Sequence, residues 1–325
     1  MTLDNIPIEA IRDARERLRG SVIHTPLLRL PVEELDVGAG CEIWLKLENL
    51  QPIGSFKLRG ACNAMALADR RQLANGVLTA SAGNMAQGVA WNARRLGIPC
   101  RVVVPDHAPQ TKIAAIERLG GEVFRVSFDD WWQVLTSREF AGAEGFFIHP
   151  VSDPAVIAGN GTIGLEILED LPDVDTIVVP FGGGGLSSGI ASTLRAERPE
   201  TKVYACEVET AAPFAASLAA GVPTAVDYVP SFVDGIGGKS VLAEMWPLVS
   251  MLLAGSLVVS LDQVAAAVRL LGERCRVIAE GAGAAPVAAA LSGAAGRGKI
   301  VCVVSGGNID AEVLAAILSG KTPAG

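Results

Sequence analysis

Seven short apolar runs set the limits on this fold: Glu42–Glu48, Gly76–Ser81, Cys100–Pro105, Glu122–Ser127, Thr176–Phe181, Lys202–Glu207 and Lys299–Ser305. Stretches of helical period separate them, and apolar runs alternating with amphipathic helices point to parallel sheets with helical crossovers. An amphipathic helix over Ile8–Arg19, stopped at Gly20, precedes the series. Arg94-Arg95-Leu96-Gly97 and Glu117-Arg118-Leu119-Gly120 close two later helices with cations followed by glycine. Around Phe146–Asp153 the rhythm breaks. A polar, glycine-rich passage, Ile157-Ala158-Gly159-Asn160-Gly161-Thr162, then leads into a second set of units, so a boundary falls near residue 150. At 325 residues, half of them hydrophobic and 36 of them glycine, the chain has enough core for two lobes. The expected class is α/β: two lobes of twisted, mostly parallel sheet flanked by helices.

Charge and cysteine content narrow the partners. A net charge of -8 and a pI near 5.1, with lysines and arginines scattered, argue against a nucleic-acid surface and for small-molecule partners. The opening Met1–Pro7 has no basic or apolar leader pattern, and no apolar stretch approaches the roughly 20 residues of a membrane span, so a cytoplasmic protein is expected. Six cysteines lie far apart without CxxC spacing or nearby histidine pairs, which suggests reduced thiols and no metal site.

In doubly wound sheets ligands bind where strands end and helices begin. Four segments have that form: the lysine loop after Gln51, Ser81-Ala82-Gly83-Asn84-Met85, Gly182-Gly183-Gly184-Gly185, and Ser305-Gly306-Gly307-Asn308. The four glycines leading to Leu186 let bare backbone N–H groups approach an anion at a helix N-terminus, and a phosphate is the expected guest. No Gly-Lys-Ser/Thr follows and the spacing is not GxGxxG. Gly185-Leu186-Ser187-Ser188-Gly189 matches a hydrolase nucleophile elbow, yet no histidine follows His149, whereas that fold places its histidine after the serine. Ser81 through Ala86 offers a hydroxyl, free N–H donors and the Asn84 carboxamide, suited to a carboxylate or phenolate oxygen, although a plain helix cap explains the same residues. Lys57 sits between Phe56 and Leu58 in a glycine-bracketed loop at a helix start. Most such lysines merely extend over a surface. Desolvation and a positive helix terminus instead push an amine toward its neutral, nucleophilic form, which imine chemistry needs. Trp131-Trp132 reads as packing or an interface.

Lys46–Ala61, Ser81–Gly88, Ala158–Glu166, Gly182–Gly185 and Ser305–Asp310, in this order, resemble the fold-type II pyridoxal-phosphate enzymes. The match is closest to the threonine/serine dehydratase and serine racemase branch. The resemblance implies pyridoxal 5'-phosphate held as an imine on Lys57, with Phe56 against its ring and Asn84 on its phenolic oxygen. It further implies Gly182, Gly183, Gly184, Gly185 and Leu186 around its phosphate and Ser305 at its pyridine nitrogen. Substrate would meet Ser81, Ala82, Gly83, Met85 and Ala86. Residues 1–52 and 151–325 would form a large cofactor-binding domain and 53–150 a small substrate-loop domain, with a homodimer as the assembly. The implied activity is dehydration and deamination of L-threonine, L-serine or a related 3-hydroxy amino acid to a 2-oxo acid and ammonia, with Lys57 taking the α-proton. Three positions divide the branch. Ala82 stands where racemases carry a serine, which disfavours racemisation. Met85 replaces the usual histidine and suits a bulkier, phenylserine-like substrate. Pro213 replaces an aspartate of the racemase cation site beside Glu207, so no metal is expected. The chain ends soon after the Ser305 loop, leaving no room for the regulatory domain of biosynthetic threonine dehydratases.

Overall fold

The computed structural model describes residues 3, 5–31 and 40–323; the other positions, including Met1, Thr2 and Asp4 of the opening segment, lie outside the described residues. The strands are β1 (Leu27–Arg29), β2 (Cys41–Leu47), β3 (Val77–Ala80), β4 (Cys100–Pro105), β5 (Glu122–Val126), β6 (Phe146–Phe147), β7 (Thr176–Pro180), β8 (Lys202–Val208), β9 (Gly255–Val259) and β10 (Gly298–Val304). The helices are α1 (Ile8–Leu18), α2 (Lys57–Leu67), α3 (Asn84–Leu96), α4 (Gln110–Arg118), α5 (Phe128–Ser137), α6 (Pro154–Asp170), α7 (Gly185–Glu197), α8 (Pro213–Ala220), α9 (Trp246–Leu252), α10 (Leu261–Leu270), α11 (Gly281–Leu291) and α12 (Ala311–Leu318).

A six-stranded sheet has the order β1-β2-β10-β7-β8-β9, and a four-stranded sheet the order β5-β4-β3-β6. Among the described strands only β1 runs antiparallel to its neighbour. Each of the seven apolar runs became a strand to within two residues. The period-two alternation splits the large sheet's side chains between two layers. Ile300, Cys302 and Val304 join the layer containing α10 and α11, and Val301 and Val303 join the layer of α1, α6, α7 and α9. Because both faces are covered, the strands read as continuous apolar runs. The small sheet is likewise covered by α2, α3 and α4 on one side and α5 on the other.

Three strands escaped the sequence pattern. β1 and β6 have only three and two residues, and β9 is a half-exposed edge, so none carries a long apolar run. The passage at 157–162 is no polar connection. It is the buried centre of α6, whose N-terminus is capped by Asp153 accepting from the Ala155 and Val156 N–H groups. Its glycines permit close helix contact: a Cβ at Gly189 of α7 would lie 2.5 Å from the Ile157 carbonyl oxygen and 2.7 Å from Gly161 N.

α2 is fastened to α6 and β2 by a buried charge cluster. Arg59, fully buried, donates to Glu48 (2.8 Å to each oxygen) and to Glu166 (2.7 and 2.8 Å). Lys46, also fully buried, donates to Glu166 (2.7 Å) and to the Thr25 carbonyl (2.7 Å). This cluster sets the position of the helix that begins at Lys57.

Candidate active site

The loop before Lys57 is sewn to the end of β10. Phe56 N–H donates to the Ser305 carbonyl at 2.9 Å, Ser55 pairs with Gly306, and Gly307 N–H donates to Gly54 O at 2.9 Å. Gly54 has φ +73, and a Cβ there would fall 2.6 Å from Asn308 Oδ1, so both backbone conformation and space require glycine. Lys57 is thereby the first residue of α2, beside Ser305. Its Nζ donates to the Pro150 carbonyl at 2.8 Å and lies 5.2 Å from the Phe56 ring centroid. Burial lowers its pKa to about 8, against an opposing pull from the Glu280 carboxylate.

His149, to which no role was given from sequence, shapes the turn that carries Pro150. Its Nδ1 accepts from Ser152 N–H (2.8 Å) and Val151 N–H (3.1 Å). Burial, helped by Arg138 and Lys57, lowers its pKa to about 3, so the ring is neutral.

Lys57 opens onto a cavity of about 630 Å³ between the two sheets. Phe56, Ser81, Ala82, Gly83, Asn84, Met85, Gly182, Gly183, Gly184, Gly185, Leu186 and Ser305 all line it. Ala86 is fully buried among the apolar residues of the small sheet's core and is absent from the wall. Met85 is 1% exposed and packs into that same core, so it contributes to the wall from within. A smaller depression of about 200 Å³ adjoins, sharing Lys112, Asp234 and Glu280.

The glycine loop ends β7 and opens α7. The N–H groups of Gly182 to Leu186 find no acceptor among the described residues, so five donors and the positive end of a 13-residue helix converge on the cavity. A Cβ at Gly182 would meet nothing nearer than the Gly235 carbonyl at 3.5 Å. The fold therefore does not demand glycine there, and the open space suits a phosphate against bare backbone. Across the cavity, Ser305 is 2% exposed and its hydroxyl has no partner among the described residues, leaving it free to hydrogen-bond a ring nitrogen. A second anion site lies at the start of α3, where the N–H groups of Asn84, Met85 and Ala86 are unpaired and Gly83 has nothing within 4 Å of a Cβ. Amine, phosphate-sized donor set and ring-facing hydroxyl together fit pyridoxal 5'-phosphate.

Sequence reasoning missed Glu280, Asn308 and the aromatic wall. Asn84 Nδ2 donates to both oxygens of Glu280 (2.9 and 3.2 Å), and Asn84 Oδ1 accepts from Asn308 Nδ2 at 2.7 Å. Asn308 also donates to the Ile53 carbonyl. Asn84 is thus oriented from both ends of its carboxamide. Burial raises the Glu280 pKa to about 7, against the Asn84 hydrogen bond. Glu280 comes from the N-cap of α11 and Asn308 from beyond β10, and no local motif links either to Asn84. Trp131, read as packing or an interface, does pack against the Leu78–Val103–Leu135 cluster and in addition lines the cavity together with Phe128, His107 and Tyr228. Near the departed cation motif, Glu207 accepts from Phe214 N–H, Ala215 N–H (both 2.8 Å) and Ser256 Oγ (2.6 Å), so its carboxylate caps α8 behind Pro213.

The family model "Pyridoxal-phosphate dependent enzyme" matches residues 18–306. The L-threonine ammonia-lyase of Thermotoga maritima is 42% identical over 97% of this chain and 78% of its own. The catabolic L-threonine dehydratase of Escherichia coli K12 is 38% identical over 94% of both chains. Among solved structures, maize serine racemase superimposes with a TM-score of 0.87 at 33% identity over 98% of each chain.

Proposed function

The chain belongs to the pyridoxal-phosphate-dependent enzymes, and from that premise we propose that it is a dehydratase and ammonia-lyase converting L-threonine, L-serine or a related 3-hydroxy amino acid to a 2-oxo acid and ammonia. The observation that carries this reading is the desolvated Lys57 amine, facing the same cavity as the five unpaired N–H donors of Gly182–Leu186.

Pyridoxal 5'-phosphate, when bound, supplies an electron sink for the pair left by the departing α-proton. Lys57 would hold it and, once freed, accept the α-proton at Nζ; an amine with a pKa near 8 is suited to both roles close to neutral pH. Gly182–Leu186 would bind the phosphate, Phe56 would pack on the ring, and Asn84 would present its carboxamide to the phenolic oxygen. Ser305 would meet the ring nitrogen with a neutral hydroxyl, which leaves that nitrogen unprotonated and favours prompt loss of a β-substituent. The N-terminus of α3, with Ser81, would hold the substrate carboxylate. Ala86 supplies a backbone N–H there, which fits its side chain's burial.

Racemisation needs a second proton carrier on the face opposite Lys57, and Ala82 offers a methyl group. We further assign residues 1–52 and 151–325 to the large lobe and 53–150 to the small one, in keeping with the sheet to which each strand belongs. A cytoplasmic homodimer completes the proposal; the free cysteines, five of them buried, suit a reducing compartment, and sedimentation at one protomer's mass would overturn the dimer. The deciding experiment assays 3-hydroxy amino acids for 2-oxo acid release with wild type and Lys57→Ala. Release from at least one member, abolished by the substitution, is expected; no release from any member would sink the lyase reading.

A further inference from the structure

The cavity lining holds two chemically distinct groups. Lys57, the glycine loop and Ser305 form a polar group that suits the cofactor. A second group of lining residues carries rings: Phe128 and Trp131 from the first turn of α5, His107 after β4, and Tyr228 from the segment between α8 and α9. Phe128 lies 5.6 Å from Trp131 and 6.1 Å from His107, centroid to centroid. Phe128 is 41% exposed and Tyr228 42% exposed, and neither belongs to a core cluster. Folding therefore makes little use of these two large apolar surfaces, which come from opposite sides of the cleft yet face one space. Exposed rings that converge on a catalytic cavity mark a binding surface rather than packing.

Charge narrows the guest. Lys112, which lines the cavity, is paired with Asp234, Lys239 Nζ lies 5.8 Å from the Phe128 ring centroid, and Asp234 and Glu280 are themselves cavity-lining carboxyl groups. An acidic β-substituent would face the Asp234 and Glu280 carboxyl groups of the lining, while the Lys239 ammonium is not among the lining residues and sits against the Phe128 ring. A methyl group, as on threonine, is too small to touch two walls at once. An aryl group offers a face or edge to Phe128, Trp131 and Tyr228, at the centroid spacings of 4.5–7 Å that aromatic pairs prefer. A cavity of about 630 Å³ lies well within the range of roughly 300–1,000 Å³ for ligand sites.

We propose that the Phe128–Trp131–Tyr228 wall receives the β-substituent of the substrate and selects an aryl group, making 3-aryl-3-hydroxy amino acids such as 3-phenylserine better substrates than threonine. This rests on the lyase reading above. The reaction balances without a redox partner. The α C–H bond breaks with its proton going to Lys57 Nζ, and the electron pair forms the Cα–Cβ double bond. The β-hydroxyl leaves as water with the proton that Lys57 received, the resulting enamine tautomerises to the imine as its N–H proton moves to Cβ, and water adding at the α-carbon expels ammonia, leaving an aryl-substituted 2-oxo acid.

The test compares kcat/KM for L-threo-3-phenylserine and L-threonine in holoenzyme from wild type, Phe128→Leu, Trp131→Leu and Trp132→Ala. Wild type is expected to favour phenylserine by about tenfold or more, and the two leucine variants to reduce that ratio about tenfold, chiefly through KM for phenylserine. Trp132 is exposed on the same helix and outside the cavity wall, so Trp132→Ala should retain the wild-type ratio. As an independent readout, the unreactive L-phenylalanine should perturb tryptophan fluorescence at lower concentration than L-valine in wild type, and this difference should shrink in both leucine variants. Phe128, being surface-exposed, tolerates replacement even if Trp131→Leu fails to fold. A wild-type preference for threonine, or a ratio unmoved in Phe128→Leu, overturns the proposal. Absence of oxo acid from both substrates instead overturns the lyase reading itself.

Discussion

Replacing Lys57 by methionine removes the amine while keeping an unbranched chain of similar length, so it isolates what the folded protein tolerates in order to hold that amine out of water. In the cofactor-free protein the group's pKa falls from 10.5 to about 8. At pH 7 the neutral amine then rises from about one molecule in 3,000 to about one in ten, and at 1.36 kcal/mol for each pH unit the gap corresponds to about 3 kcal/mol. The sign follows from proton counting: between about 8 and 10.5 the unfolded chain binds more protons, so stability rises with pH across that window. Below about 8 the penalty is present in full. The methionine variant escapes it but loses the hydrogen bond to the Pro150 carbonyl, worth about 1 kcal/mol. Urea denaturation of the cofactor-free proteins should therefore find Lys57→Met about 2 kcal/mol more stable than wild type at pH 7, with the advantage shrinking above pH 8 and reversing by about 1 kcal/mol above pH 10.5. Glu280, raised from 4.5 to about 7, adds a slope of opposite sign that lies largely below the window in which Lys57 titrates, so the comparison is read from pH 8 to pH 10.5. An advantage that stays constant from pH 8 to pH 10.5 would show that burial of charge is not its source.

Two further substitutions separate the demands of the fold from those of the ligand. Gly182→Ala places a methyl group where only ordinary contacts await it, so the cofactor-free protein should melt within about 0.5 kcal/mol of wild type while its dissociation constant for pyridoxal 5'-phosphate, measured by absorbance titration, rises about tenfold or more; unchanged affinity would remove the loop from the phosphate site. Arg59→Met leaves Glu48 and Glu166 facing an apolar side chain in the interior, and urea unfolding should show a loss of about 3–5 kcal/mol; a loss below 1 kcal/mol would mean that water already reaches the cluster.

What the sequence disclosed and what it withheld divide along the length scale of the interactions. Thr176–Pro180 and Gly182–Leu186 were legible because a covered parallel strand must be apolar throughout and an anion site at a helix start must have bare backbone, and both requirements fall on consecutive residues. Lys57 was legible for the same reason, its neighbours in sequence being its neighbours in space. Glu280 was not: it reaches Asn84 across 196 residues, and nothing around either residue encodes that pairing. The aromatic part of the cavity lining is a still harder case, because Phe128 and Trp131 share one helical turn with Trp132, and their periodicity fits a packed face as well as a binding face. Only the Tyr228 segment, arriving from the other side of the cleft, distinguishes the two. On the proposed reading, substrate choice resides in contacts between residues far apart in sequence, whereas cofactor chemistry resides in short loops at the ends of individual strands. On that same reading, the separation would let the catalytic loops of the chain resemble those of threonine-acting relatives while the Phe128–Trp131–Tyr228 wall receives a larger side chain.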